Sequence, residues 1–307
     1  MEVTQRPSDF FSQDEITYLR SPHDARGWWS IAHCWGVIIA TWIVVGLWTN
    51  PATIVIGIVI IGARQLGLSV LSHDGAHFTL FTNRVLNDWA SEWLLSRPLT
   101  GGSIDGYRKY HLQHHAHTQQ AEDPDLHLSK PFPIGKQSFK RKVVRDLTGQ
   151  TGWKQYGRVF RAAFVGDGWF GSTLNGLKKL GPNILINLVF LLGFTAAGVW
   201  YLYFLLWWVP ALTWNRFITR IRNIGEHAAV PDNDDRLRNT RTIEANWWER
   251  ATIAPYGVNY HLEHHLIVNC PFYKLSQAHA MLLEKGLRKR MELQPDYKTM
   301  LQVAVHV

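Results

Sequence analysis

The sequence is poor in charge. Asp, Glu, Lys and Arg make up 18% of its 307 residues, against about 25% in an ordinary soluble domain. Cysteine is scarcer still: Cys34 and Cys270 are the two in the chain, which excludes a disulfide scaffold. There is no His-Pro-Gly-Gly haem box and no G-x-G-x-x-G following a strand. Neither a built-in haem carrier nor a built-in nicotinamide site is therefore expected. Disorder is excluded as well, because hydrophobic residues reach 46% and aromatics 13%. The mean hydropathy is only −0.12, so the apolar residues must be concentrated in part of the chain.

They lie in blocks of membrane-spanning length. Residues 28–48 and 52–71 are two apolar runs of about 20 residues, separated by Thr49-Asn50-Pro51, a turn signal. The first run starts too late for a signal peptide and is followed at once by another. A polar stretch, 72–182, leads to the apolar block 183–214. This block reads as two helices, 183–198 and 200–215, turning near Ala197-Gly198; the competing reading is one tilted helix plus an interfacial segment. Of the 32 Lys and Arg residues, only Arg64 falls inside a span. The basic residues lie before residue 28, in 72–182 and after 215, and the short connections carry none. The positive-inside rule then predicts four transmembrane helices, with both termini, the loop 72–182 and the region 216–307 cytoplasmic. The expected fold is all-α: one polytopic membrane domain over 1–307, with a cytoplasmic helical cap. The net charge of +8 follows from that topology and from anionic lipid, and no nucleic-acid partner is expected. Trp28, Trp29, Trp48, Trp200, Tyr201, Trp207 and Trp208 form the expected interfacial aromatic belt. Arg64 either snorkels to the interface or meets a buried acid or a polar head group.

Chemistry enters through the 15 histidines. His73-x(3)-His77, His111-x-x-His114-His115 and His261-x-x-His264-His265 carry imidazoles at helical i, i+3 and i+4 spacing. With four spans all three boxes fall on one side of the membrane and can meet. Eight neutral imidazoles suit iron, zinc or copper and not magnesium or calcium, and eight is a number for two ions. His227 and Asn223, spaced by four just after the last span, are further candidates: His227 as a direct ligand, Asn223 as a weaker one through water. Asp74, Asp123, Asp125, Glu226 and Glu263 are candidates to hydrogen-bond the imidazoles from behind. His23, His117, His127, His279 and His306 read as surface residues or as residues behind the ligands.

Four spans with these three boxes resemble the membrane fatty acid desaturase and hydroxylase superfamily, from about Trp28 to Leu275. The setting Asn259-Tyr260-His261-Leu262-Glu263-His264-His265 and the Asp123-Pro124-Asp125 that follows the second box are similar to acyl desaturases. Within the superfamily the chain most resembles the bacterial branch that includes the dihydrorhizobitoxine-desaturase-like proteins. The resemblance implies a centre of two iron ions, O2 as oxidant and two electrons from an external donor such as a ferredoxin or cytochrome b5. It also implies an Asn and a His completing the metal site, which here are Asn223 and His227. The implied function is an O2-dependent desaturase acting on a fatty-acyl or other long lipid chain, in a bacterial inner membrane, with the active site cytoplasmic. The substrate chain is expected to enter from the bilayer between spans. Hydroxylation of a lipid or carotenoid at the same centre remains the alternative, and a metal-binding or transport protein a remote one. The basic run Lys136, Lys140, Arg141, Lys142 and Arg145 is expected against anionic lipid or an acidic electron carrier. The stretch 85–99 is expected as an amphipathic helix at the membrane surface.

Overall fold

A computed structural model describes residues 5–100 and 102–306. The chain is mostly helical, and three helices are long and apolar enough to cross a membrane: α1 (Asp24–Leu47), α2 (Pro51–Ala76) and the later Gly168–Ala196. The turn between α1 and α2 forms as the sequence demands. Asn50 accepts from the backbone N–H groups of Ala52 and Thr53, and Pro51 occupies the first helical position. α2 runs five residues past the expected end at 71. Its 26 residues span about 39 Å at 1.5 Å each, longer than an apolar layer of about 30 Å. Its last turn carries His73, and His77 caps it.

Between α2 and the third apolar helix lie Arg84–Ala90, a π-helical Ser91–Ser96, α3 (Ile104–Ala116), the basic helix Lys136–Leu147 and the amphipathic Gln150–Ala163. The segment 85–99 is thus helical as expected, with Val85, Trp89 and Trp93 exposed and Leu95 buried. The next helix, α4 (Gly168–Ala196), begins fifteen residues before the expected 183. Lys178, Lys179 and Pro182 read as a boundary in the sequence, yet none of them ends the helix. Chain reversal occurs at Ala197-Gly198, as expected, with Gly198 at φ 75°.

The expected fourth span is not one uninterrupted helix. Trp200–Tyr203 is α-helical, Phe204–Trp208 is π-helical, Val209–Leu212 is α-helical again, and Thr213 breaks the run before α5 (Trp214–His227). Pro210 has no N–H to return to the preceding turn, which fits an irregular helix there. Trp207 is a second correction. It does not sit in an interfacial belt but is 1% exposed, stacked on Trp35 at 6.0 Å and edge-on to Trp42 at 5.7 Å. These contacts bind the return segment to α1. Trp28, Trp29, Trp48 and Trp200 do remain exposed. Arg64 does not snorkel, and it meets no acid among the described residues. It is buried, donates to the Ala251 carbonyl at 2.6 Å and lies over the Tyr256 ring.

The remaining chain folds over the end of α2 that carries His73. It supplies α6 (His261–Leu266) and α7 (Leu275–Glu284). Phe10, Phe11 and Leu19, from the start of the chain, share a core with Leu262, Leu266 and Leu275. The N-terminal segment therefore packs on the same end as the third histidine box.

Candidate metal centre

Nine histidines converge at this end, and they form two groups. His73, His77, His111, His115 and His264 make one; His114, His227, His261 and His265 make the other. Within each group the candidate ligand atoms lie within 4.8 Å of one another. The division follows from helix geometry. Positions i and i+4 lie nearly above one another, while i+3 falls to the side of that line. On α3, His111 and His115 serve the first group and His114 the second. On α6 the order inverts: His261 and His265 serve the second group and His264 the first. Boxes two and three therefore each contribute to both groups. Box one gives both imidazoles to the first, and α5 delivers His227 to the second. All nine histidines proposed from the sequence are brought together.

The contacts within each group fit metal ions better than hydrogen bonds. His115 Nε2 lies 2.9 Å from His111 Nε2 and 3.0 Å from His264 Nε2. His261 Nε2 lies 2.8 Å from His227 Nε2 and 3.1 Å from His265 Nε2. An imidazole nitrogen carries either one proton or one lone pair, so it cannot satisfy two such neighbours at once. Three lone pairs directed at a common point suit a cation. In addition, both ring nitrogens of His73 and of His77, Nδ1 of His115 and Nδ1 of His227 are buried without a hydrogen-bond partner among the described residues. Orphaned buried polar atoms are rare enough to require an explanation, and metal bound at one ring nitrogen supplies one for His73 and for His77. Burial, first, and the neighbouring imidazoles and guanidinium groups keep His111, His115, His227, His261, His264 and His265 neutral, with pKa values well below the ordinary range. His77 is brought down to about 3, chiefly by burial. Neutral imidazole is the ligand form.

Several rings are held from behind. Asp123 Oδ1 accepts from His114 Nδ1 at 2.8 Å, leaving Nε2 for the second group. Burial pushes the Asp123 carboxyl up, but the hydrogen bond and charge of His114 outweigh it and the net shift is downward. Glu226 lies 3.5 Å from His261 Nδ1 and is also bound by Arg222 at 2.5 Å; burial lifts its carboxyl to about 7 against the pull of that arginine. Asp74 is 3.8 Å from His73 Nδ1, and its nearer contact is the Phe272 N–H at 2.9 Å. The other two acids face elsewhere. Asp125 accepts from the Tyr110 hydroxyl at 2.5 Å. Glu263, fully buried, takes His279 Nδ1 at 2.6 Å and the Thr242 hydroxyl.

Two supporting residues carry no sequence signal of their own. Thr118 places its hydroxyl 3.1 Å from His265 Nδ1. His279 is buried against the back of α6, not at the surface. Only the tertiary fold brings either to its partner. Asn223 is half-buried, one turn before His227 on α5, and its side chain makes no hydrogen bond among the described residues. His23, His117, His127 and His306 are exposed.

Beside α2 the first group is bordered by Val70, Tyr256, Val258, Phe272 and Leu275, around a cavity of about 10 Å³ that His73, His261 and His264 also line. On the opposite side a polar cavity of about 800 Å³ reaches His115 and His265, bordered by Asp232, Asp234 and Arg236.

Residues 49–295 match the family model described as fatty acid desaturase. The chain belongs to the fatty acid desaturase family. The family match contains all nine clustered histidines, from His73 to His265. A curated relative, the dihydrorhizobitoxine desaturase of Bradyrhizobium elkanii, is 26% identical over 286 residues, which cover 88% of this chain and 78% of that protein. The resemblance drawn from the boxes is thereby borne out, including the bacterial branch. As a fatty acid desaturase family member with membrane-length helices, the chain is a membrane-associated protein of oxidoreductase type.

Proposed function

We propose that this chain is an O2-dependent desaturase that uses two iron ions to introduce a double bond into a fatty-acyl or other long lipid chain. The observation that carries this reading is the convergence of nine imidazoles into groups of five and four, with Nε2 atoms that no proton arrangement can satisfy. His73, His77, His111, His115 and His264 would hold one ion; His114, His227, His261 and His265 the other, with Asn223 adding a ligand through water. Bound there, the metals would supply O2 activation. Two hydrogens leave the alkyl chain, two electrons come from an external carrier of ferredoxin or cytochrome b5 type, and two protons come from solvent. Together these reduce O2 to two waters.

The protein's part is orientation and exclusion. Asp123, Glu226 and Thr118 fix ring tautomers, and Val70, Val258, Phe272 and Leu275 keep water from the substrate side. Residues 200–215 are proposed as a fourth, irregular crossing, with the histidine end cytoplasmic and residues 1–307 forming one domain. The helix Lys136–Leu147 then faces anionic lipid heads. Desaturation is preferred to hydroxylation because the curated relative is named a desaturase. Expression in a desaturase-free bacterial host, with mass spectrometry of the lipids, tests the proposal. A new mono-unsaturated chain that disappears in His264→Ala is expected. Hydroxylated chains would transfer the assignment to the hydroxylase alternative. Unchanged lipids from iron-loaded protein supplied with an electron carrier would overturn the proposal.

A further inference from the structure

Tyr256 occupies the boundary between the outer surface of the helical hairpin and the histidine centre. It is held in an unfavourable way. Its φ of 55° and ψ of 39° are left-handed, a region that a bulky residue enters only when its surroundings impose it. The next residue, Gly257, is also at positive φ, 67°. This paired conformation directs the ring away from its own segment and into the seam between α1 and α2.

The seam is shaped for the ring. A Cβ on Gly67 of α2 would lie 2.9 Å from the Tyr256 ring and 3.3 Å from Cys34 Sγ of α1, so only glycine admits it. At its outer end the hydroxyl donates to the Ser30 carbonyl at 3.2 Å and lies 3.1 Å from His33 Nδ1. His33 stands on the exposed side of α1, one turn after the exposed Trp29. At its inner end Tyr256 meets Phe272 edge-on at 5.3 Å and, with it, closes the 10 Å³ cavity that His73, His261 and His264 line. That volume holds about one water and no alkyl chain. Gly67 precedes His73 by six residues, about 9 Å along α2. One side chain thus spans the short route from the hairpin surface to the ligand set.

We propose that Tyr256 is the gate and specificity-determining residue for an aliphatic chain that enters from the bilayer between α1 and α2 at Gly67. The inference rests on the desaturase reading of the site. Passage requires the ring to leave the seam, breaking its contacts to Ser30 and His33, and the chain then takes the ring's place beside Phe272. The width admitted there decides which chains reach the histidines.

The test uses the full-length protein in phospholipid nanodiscs and a long-chain fatty acid carrying a diazirine near its methyl end. Photolabelling of residues 258–266 is read by peptide mass spectrometry, which needs no turnover. Metal content and thermal midpoint are measured in parallel. Tyr256→Gly, which also relieves the left-handed backbone, is expected to raise labelling several-fold with metal retained. Gly67→Leu, which fills the seam from the other side, is expected to lower it several-fold. Tyr256→Phe, which removes only the hydroxyl contacts, is expected to fall between Tyr256→Gly and wild type. Equal labelling in wild type, Tyr256→Gly and Tyr256→Phe, with metal retained, overturns the gate. Labelling that follows the gate variants in protein that produces no desaturated lipid overturns the desaturase reading and leaves the gate standing.

Discussion

Replacing Asp123 with Asn tests how the second group of histidines is held, because the change keeps volume and removes one charge. The Asp123 carboxylate accepts three hydrogen bonds: His114 Nδ1 at 2.8 Å and Asp125 N–H at 2.8 Å on Oδ1, and Gln119 N–H at 2.9 Å on Oδ2. An asparagine oxygen at Oδ1 can keep the first two. Its amide nitrogen then places a donor against the Gln119 N–H, and flipping the amide moves the conflict to both His114 and the Asp125 N–H. At least one hydrogen bond to a charged group is lost, about 1.5–3 kcal/mol. Mutation of the partner behind a ligating histidine typically weakens metal binding about 10- to 100-fold, about 1.4–2.8 kcal/mol at 1.4 kcal/mol per decade. The loss should fall on one site, since Asp123 touches His114 and no histidine of the five-membered group. Iron per chain, measured by plasma mass spectrometry after dialysis against graded chelator, should drop from two to about one at chelator levels the wild type withstands. Asp125→Asn, which disturbs only the Tyr110 contact, should retain both ions. Equal retention by Asp123→Asn and wild type, or equal loss by both variants, would refute the reasoning.

Other expectations follow from the same geometry. His227→Ala reduces the group of four to three and should lose one ion and turnover, whereas Asn223→Ala should keep both ions with slower turnover; iron counts and product yields distinguish the two. Thr118→Val removes the partner of His265 Nδ1 and should lower the thermal midpoint by the equivalent of about 1 kcal/mol, read by unfolding in detergent. The metal-free protein should lose stability as pH falls below about 6.5. There the unfolded chain gains protons that folded His77, His111, His115, His227, His261, His264 and His265, with lowered pKa values, do not. Each such group contributes up to about 1.4 kcal/mol per pH unit, and a thermal midpoint unchanged between pH 7.5 and 5 would contradict this. For topology, single cysteines at Ser138 and Gln294 should label from the same side of the membrane.

What the sequence made legible was whatever local periodicity encodes. The three boxes could be read because i, i+3 and i+4 neighbours on a helix share a face whatever the fold. His227 could be read because α5 follows the last apolar segment after the break at Thr213 and carries Asn223 and His227 one turn apart. The partition of the imidazoles into five and four could not, since it depends on how α3 and α6 face each other. Glu263 is the clearest miss. Between two ligating histidines it reads as their support, but it turns to the opposite side of α6, where α7 presents His279. Asp123 was readable because its loop is tied to box two within nine residues. Arg64 and Trp207 failed for a shared reason: a charge in a span and an aromatic near its end suggest the interface only until a neighbouring segment, Ala251 or α1, covers them. The early start of α4 was hidden by Lys178, Lys179 and Pro182, which lower apparent hydropathy without stopping a helix.

The central claim is that the nine histidines hold two metal ions in two separate groups. Anomalous diffraction from crystals of the iron-loaded protein, collected at the iron absorption edge, tests it most directly. Two peaks are expected, one enclosed by His73, His77, His111, His115 and His264, the other by His114, His227, His261 and His265. A single peak shared by the nine rings, or none in protein that still desaturates lipid, would contradict it.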